Sequence, residues 1–315
     1  MRIAVTGSIA TDHLMVYPGR FADQLIEGQL DKVSLSFLAD DLVVRRGGVA
    51  ANIAFGLGRF GLAPILVGAV GADFSEYRAW LEEAGVDTGS VLVSRTRHTA
   101  RFVCTTDVDQ NQIATFYAGA MSEARELELA PIAERAGGLD LVVIAPNDPA
   151  AMVRHTEECR ALGLPFAADP SQQLARLGRE EARQLVEGAT YLFTNAYESA
   201  LLLQLSGWSQ EEILARVGTW ITTHGADGVV IAGAGTEPIT VPAVPTGRGQ
   251  DPTGVGDGFR AGFLAGLSLG WELPRAARLG CALATRVLET VGTQEYSATA
   301  EELLASIGET PVGAR

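Results

Sequence analysis

Apolar residues recur along this chain in two alternating rhythms. Largely apolar runs at residues 3–5, 64–70, 139–145, 165–168 and 191–194 read as strands buried on both faces, as in a parallel sheet. Longer segments whose apolar residues fall three and four apart predict helices over 77–84, 150–162 and 275–290. Another helix follows Asp257, with Phe259, Phe263, Leu264 and Leu267 on one side. Along a second stripe of that helix Gly258, Gly262, Gly266 and Gly270 recur at every fourth residue, which lets another backbone lie close. Strand then helix, repeated, predicts an α/β fold whose central, mostly parallel sheet is covered by helices.

Two stretches break this rhythm. Residues 31–46 alternate polar and apolar around Val33, Leu35, Phe37, Leu42 and Val44, as a short hairpin would. Residues 90–117 divide into β-rich pieces: Val91-Leu92-Val93, then 100–104, then 113–117. Together these predict a small sheet beside the main one. Phe102 and Phe116 within it are either core aromatics or, on a lid, faces that sandwich a flat base. Residues 309–315 read as a frayed tail.

Polar residues gather after the strands, where open α/β sheets bind ligands. Gly7-Ser8-Ile9-Ala10-Thr11-Asp12 reads as a turn, with Asp12 placed either to accept two sugar hydroxyls or to sit solvated on the surface. Gly47-Gly48-Val49-Ala50-Ala51-Asn52 begins a helix, and its paired glycines suit a hinge or a close contact with a ligand at the entrance that Asn52 also faces. Gln172, Gln173 and Arg176 follow the run at 165–168. Asn195 and Glu198 share one face of a first helical turn, where they either hold metal-bound water or serve as an ordinary cap. His224-Gly225-Ala226-Asp227-Gly228 makes a hairpin-like turn whose glycines, with Thr223, suit nucleotide phosphates.

The most informative stretch is Gly249-Gln250-Asp251-Pro252-Thr253-Gly254-Val255-Gly256-Asp257-Gly258-Phe259. Its glycines let several N–H groups converge where a helix begins, and such a start attracts anions. A carboxylate there repels phosphate. Asp257 therefore makes sense as a base on a hydroxyl that attacks phosphate, or as an ordinary acidic residue in a capped first turn.

Composition narrows the chemistry. Among 315 residues 24 are basic and 38 acidic, a formal charge of -14 at pH 7, which argues against nucleic acid or an anionic membrane as main partner. No run is long enough to span a bilayer, the apolar start is too short for a signal peptide, and three cysteines lack metal-ligand spacing; a cytoplasmic protein is expected. Lys32 is the only lysine, and no Gly-Lys-Ser/Thr occurs. P-loop hydrolases and protein kinases are thereby excluded, and phosphoryl transfer would rest on backbone donors, metal and arginine. Gly56, Gly58 and Gly61 spell a dinucleotide fingerprint but fall inside a helical segment, which argues against a nicotinamide oxidoreductase. His13, His98 and His155 show no zinc or triad spacing.

Taken together the chain resembles the ribokinase, or PfkB, family of carbohydrate and nucleoside kinases over nearly its whole length. Gly47-Gly48-Val49-Ala50-Ala51-Asn52 and the stretch from Asp251 to Phe259 carry the resemblance, with Pro252 and Val255 departing from the family's usual threonine and alanine. The resemblance implies a three-layer α/β core over 1–8, 47–94 and 121–308, with a β lid over 9–46 and 95–120, in a single unit of 1–315. It implies ATP as donor, Asp257 as base, Gly254, Val255 and Gly256 as anion hole, and Ser8, Asp12, Ser36, Gly48 and Asn52 around the sugar. It further implies ATP phosphates at Asn195, Thr223, Gly225, Gly228 and Gly256, Mg2+ through water at Asn195 and Glu198, and K+ near Asp251. Within the family the chain looks most like adenosine kinases of actinobacterial type; Phe102 and Phe116 would then supply stacking faces, Gln172 or Gln173 would pair with a purine edge, and Arg176 would add to the base or the phosphate site. Adenosine 5′-phosphorylation in purine salvage by a homodimer joined through its lids is the resulting expectation. The alternatives are another sugar or purine nucleoside kinase, acting on ribose, a ketohexose, inosine or guanosine, and a non-catalytic nucleotide-binding protein.

Overall fold

The computed structural model describes residues 1–25 and 34–308. Lys32, Val33 and the expected tail at 309–315 lie outside the described residues. The strands are β1 (Ile3–Thr6), β2 (Ala10–Val16), β3 (Asp41–Gly47), β4 (Ile65–Val70), β5 (Asp87–Val93), β6 (Ala100–Thr106) and β7 (Gln112–Tyr117). They continue with β8 (Leu141–Ile144), β9 (Phe166–Ala168), β10 (Tyr191–Asn195), β11 (Thr219–Thr223), β12 (Val229–Ala232) and β13 (Ile239–Val241). Nine strands form one sheet in the order β13-β12-β11-β10-β9-β8-β1-β4-β5. Every neighbouring pair from β11 to β5 is parallel; β12 alone runs against the others.

The central strands are apolar at consecutive positions because each face has its own core. Ile3, Val5, Leu141 and Val143 enter one cluster, and Ala4, Val142 and Ile144 enter the other. On the first face lie α1 (Val49–Arg59) and α2 (Ser75–Glu83). The second face carries α3 (Leu129–Ala136), α4 (Pro149–Leu162), α5 (Arg179–Val186), α6 (Ala196–Ser206) and α7 (Gln210–Leu214). Returning to the first face, α8 (Val255–Ser268), α9 (Leu273–Leu288) and α10 (Ala300–Ser306) complete it. The three-layer α/β expectation holds.

The glycine stripe does what its spacing implied. A Cβ at Gly262 would lie 2.6 Å from the Leu279 carbonyl oxygen and 2.8 Å from Gly280 Cα, and one at Gly266 would lie 2.7 Å from Ala276 Cα. Thus α8 rests almost backbone to backbone on α9; Gly270, past the helix end, meets nothing within 4 Å. Gly262→Ala is expected to force the helices apart at a cost of about 1–3 kcal/mol. Urea unfolding checks this, and a midpoint equal to the parent's would show that the contact yields freely.

A second sheet, in the order β3-β2-β6-β7, stands beside the first. Two expectations are corrected here. Val91-Leu92-Val93 belongs to β5, at the edge of the large sheet. No hairpin forms within the described part of 31–46, because β3 pairs with β2, drawn from the stretch read as a turn and running on beyond it. Residues 34–39 have no regular structure, and Phe37 instead joins a ring cluster with Tyr17 and Phe21, at 5.0 and 4.8 Å between centroids.

Candidate active site

The ends of the parallel strands and one face of the small sheet enclose a cleft of about 1130 Å³. The register of the small sheet puts Arg45 opposite Asp12, Asp12 opposite Phe102, and Phe102 opposite Phe116. Residues opposite one another share a sheet face, so a cation, a carboxylate and two aromatic rings form one row across four strands. All four line the cleft.

Asp257 stands on the first turn of α8. Gly254, at φ 75°, makes the sharp entry, and a Cβ there would meet Thr293 Cγ2 at 2.7 Å. Gly258 is the first residue of the turn whose N–H reaches back to Gly254, at 2.9 Å. The N–H groups of Gly256 and Asp257 find no backbone acceptor among the described residues, so they remain available to an anion. Val255 differs from expectation: its N–H turns back to the Pro252 oxygen at 3.4 Å, and the residue does not line the cleft.

The Asp257 carboxylate accepts from Asn52 Nδ2 at 2.7 Å. Burial pushes its pKa up to about 7; the Asn52 hydrogen bond and Arg260 pull it down, and Asp169 and Glu198 push it further up. Such a group exchanges its proton near neutral pH. Asp12, beside it in the cleft, is raised to about 6, chiefly by burial, with Arg45 opposing and Asp251 reinforcing the shift. Asp251 behaves oppositely: burial works against its charge, but hydrogen bonds from Thr253 and the Gly292 N–H outweigh it and lower the pKa. Arg45 Nη1 approaches Asp251 Oδ2 to 3.5 Å, tying the small sheet to the loop before α8.

Arg260, one turn beyond Asp257, is 5% exposed and forms an ion pair with Asp169, itself 1% exposed. Its Nη2 lies 2.6 Å from Asp169 Oδ1, and its Nη1 donates to the Gly256 oxygen at 3.0 Å. Burial disfavours the guanidinium charge, but the Asp169 carboxylate outweighs it and raises the Arg260 pKa.

At the other end of the cleft Asn195 and Glu198 form a reciprocal cap on α6, each backbone N–H donating to the other's side chain at 2.8 Å. Glu198 Oε1 also accepts from Ser171, a non-glycine residue held at φ 43°. Gln172 and Arg176 line the cleft and are exposed; Gln173 lines it but is buried. Gln173 donates from Nε2 to the Asn147 carbonyl oxygen at 2.7 Å, leaving its Oε1 without a partner among the described residues. Ser8, Gly48, Thr223, Gly225, Gly254 and Gly256 also line the cleft.

Ser36 and Gly228 do not. Ser36 is exposed because its neighbours Leu35 and Phe37 take the half-buried positions. Gly228, at φ 93°, closes the turn before β12, where a Cβ would meet the Val241 oxygen at 2.1 Å, so its glycine serves the turn. Sequence reasoning missed Arg260, Thr293 and Gln294. An arginine three residues after Asp257 carries no mark separating it from a solvated one, and Thr293 and Gln294 follow α9 in an unremarkable turn. Among the described residues no three His, Cys, Asp or Glu side chains group as a metal site.

Residues 5–300 match the profile of the pfkB family carbohydrate kinase. The chain belongs to this family. It is a phosphotransferase with an alcohol acceptor, on a ribokinase-like fold. Among its relatives are the nucleoside kinase of Methanothermobacter thermautotrophicus, 34% identical over 79% of this chain and 80% of that protein, and that of Methanocaldococcus jannaschii, 31% identical over the same shares. A solved structure of Burkholderia thailandensis nucleoside kinase with inosine is 34% identical, has a TM-score of 0.84 and covers 99% of this chain and 100% of its own. The same enzyme has been solved with ADP-inosine, with a TM-score of 0.83 over 99% of this chain and 98% of its own.

Proposed function

We propose that this PfkB-family chain transfers the γ-phosphoryl group of ATP to the 5′-hydroxyl of a purine nucleoside, adenosine foremost, with a role in purine salvage. The observation that carries the reading is the row Arg45, Asp12, Phe102, Phe116 across the small sheet. A carboxylate for ribose hydroxyls stands next to two aromatic faces for a base, which a bare sugar would leave unused. The nucleosides bound by the Burkholderia relative support the same class.

In this reading Asp12, the Gly48 backbone and the second Asn52 N–H hold the ribose, and the 5′-hydroxyl faces Asp257. The ionised carboxylate takes the hydroxyl proton as the oxygen attacks phosphorus, and the N–H groups of Gly256 and Asp257 receive the charge on the transferring group. Thr223 and Gly225 hold the donor phosphates. Magnesium would be held by phosphate oxygens and water, oriented by Glu198 and Asn195, since among the described residues no three acidic, histidine or cysteine side chains cluster. When bound it neutralises phosphate charge. Potassium would sit beside Asp251, whose carboxylate is held towards its ionised form by hydrogen bonds from Thr253 and Gly292. The small sheet would act as the lid, and Leu42, Val44 and Ile113, exposed on the face opposite the Asp12 row, supply an apolar surface for a homodimer. Three buried free cysteines support a cytoplasmic setting.

Gln173 lines the cleft, and its buried Oε1, without a partner among the described residues, is an acceptor that the amino group of adenine would satisfy once the amide turns outward. Inosine remains the second reading, favoured by the Burkholderia complex. With ATP and magnesium, kcat/KM for adenosine is expected to exceed that for inosine and guanosine by about tenfold, one buried hydrogen bond's worth. Turnover of free ribose or fructose without turnover of any nucleoside would sink the proposal.

A further inference from the structure

We infer that Gln294 is a positioning residue for phosphoryl transfer, the middle link of a one-way hydrogen-bond chain from Trp80 that fixes which end of the Asn52 amide meets Asp257. The inference rests on Asp257 acting as the base.

The direction of the chain starts at the indole. Trp80 Nε1–H donates to Gln294 Oε1 at 3.1 Å, and an indole nitrogen cannot accept. Gln294 is 1% exposed, so its oxygen is committed and its Nε2 must point the other way. That nitrogen donates one hydrogen to Asn52 Oδ1 at 2.8 Å and the other to the Tyr77 hydroxyl at 2.5 Å. Tyr77 passes its own proton to the Gly47 oxygen at 2.8 Å. Thr293 Oγ1 lies 2.9 Å from Asn52 Oδ1 and 3.0 Å from the Arg46 carbonyl oxygen; its single proton can serve either, so this hydroxyl does not set the direction.

With Oδ1 occupied by a donor, Asn52 turns Nδ2 to Asp257 Oδ2. An inverted amide would set oxygen against oxygen and take from the carboxylate its only hydrogen bond from another side chain among the described residues. Asp257 Oδ1 and the second Asn52 N–H are left over, both on residues that line the cleft. The chain therefore aims one carboxylate oxygen, and its branch through Tyr77 holds the carbonyl of Gly47 beside the sugar site. It also tunes acidity, because the Asn52 donor opposes the effect of burial. The other groups facing Asp257 are Arg260 on α8, Asp169 after β9, Glu198 on α6 and the hydroxyls of Tyr77 and Tyr296, and replacing Gln294 changes the charge of none of them.

Gln294→Met keeps the length of the side chain and removes both its donor and its acceptor. The expected result is a kcat about tenfold lower and an acid limb of kcat moved to higher pH, with KM for the nucleoside little changed. Trp80→Phe deletes the indole N–H that sets the direction. It should move the limb the same way by less, and it serves as the test if Gln294→Met does not fold. A lowered melting temperature with parental kcat and pH limb, in whichever variant folds, overturns the positioning role. Asp257→Asn run alongside separates the two layers. Retained turnover in that variant removes the base reading and this inference with it, whereas lost turnover there with an unmoved limb in Gln294→Met removes this inference alone.

Discussion

Asp257→Asn is expected to lower the rate of phosphoryl transfer by about 10²–10⁴-fold, which corresponds to about 3–5.5 kcal/mol of barrier. The substitution keeps the shape of the side chain and an oxygen to accept from Asn52, so the α8 entry and the ribose site persist. What disappears is a group able to take the hydroxyl proton. The parent enzyme carries the complementary signature. Because the base must be ionised and its pKa is raised to about 7, kcat/KM should rise with pH through that value and fall away below it. Residual turnover of the asparagine variant should lack this limb. Steady-state kinetics across pH, with nucleoside binding measured by calorimetry, make the check. Equal rates in variant and parent would assign the proton to another acceptor.

The second large effect is expected on stability. Arg260→Met leaves the Asp169 carboxylate buried without its counter-charge, and breaking a buried pair from one side typically costs about 3–5 kcal/mol. The Gly256 carbonyl at the start of α8 loses a donor in the same step. Arg260→Met combined with Asp169→Leu should recover most of the loss, since two apolar side chains leave no charge stranded. Urea unfolding with an unchanged m-value reads the difference. A single variant within about 1 kcal/mol of the parent would show that water reaches the pair.

How far the sequence carried depended on the range of the interactions involved. The buried strands of the large sheet were legible because consecutive apolar residues with helices between them have few other uses. Gly254, Gly256 and Asp257 were legible because two glycines ahead of an acidic residue at a helix start constrain the backbone locally. The alternation at 41–46 was read as a strand, yet its partner was misassigned: which segment it joins is decided by register against β2, far off in sequence. Asn195 and Glu198 were left between cap and metal ligand, and the structure shows the cap. Arg260, Thr293 and Gln294 were invisible. Their importance comes from what folding brings beside them, Asp169 in one case and Asn52 in the other, and local pattern holds no record of either meeting.

The glycine stripe of α8 has a mechanical consequence. The helix whose first turn carries Asp257 is laid directly on the backbone of α9, and neither can tilt without parting close-packed main chains. The small sheet is built otherwise, with every residue of β7 exposed and most of β3 as well. The chain crosses between the two sheets at residues 7–9, 48, 94–99 and 118. The cleft thus has one close-packed jaw, which carries Asp257, and one open jaw. In the proposed mechanism substrate is brought to Asp257, while the carboxylate itself keeps its place.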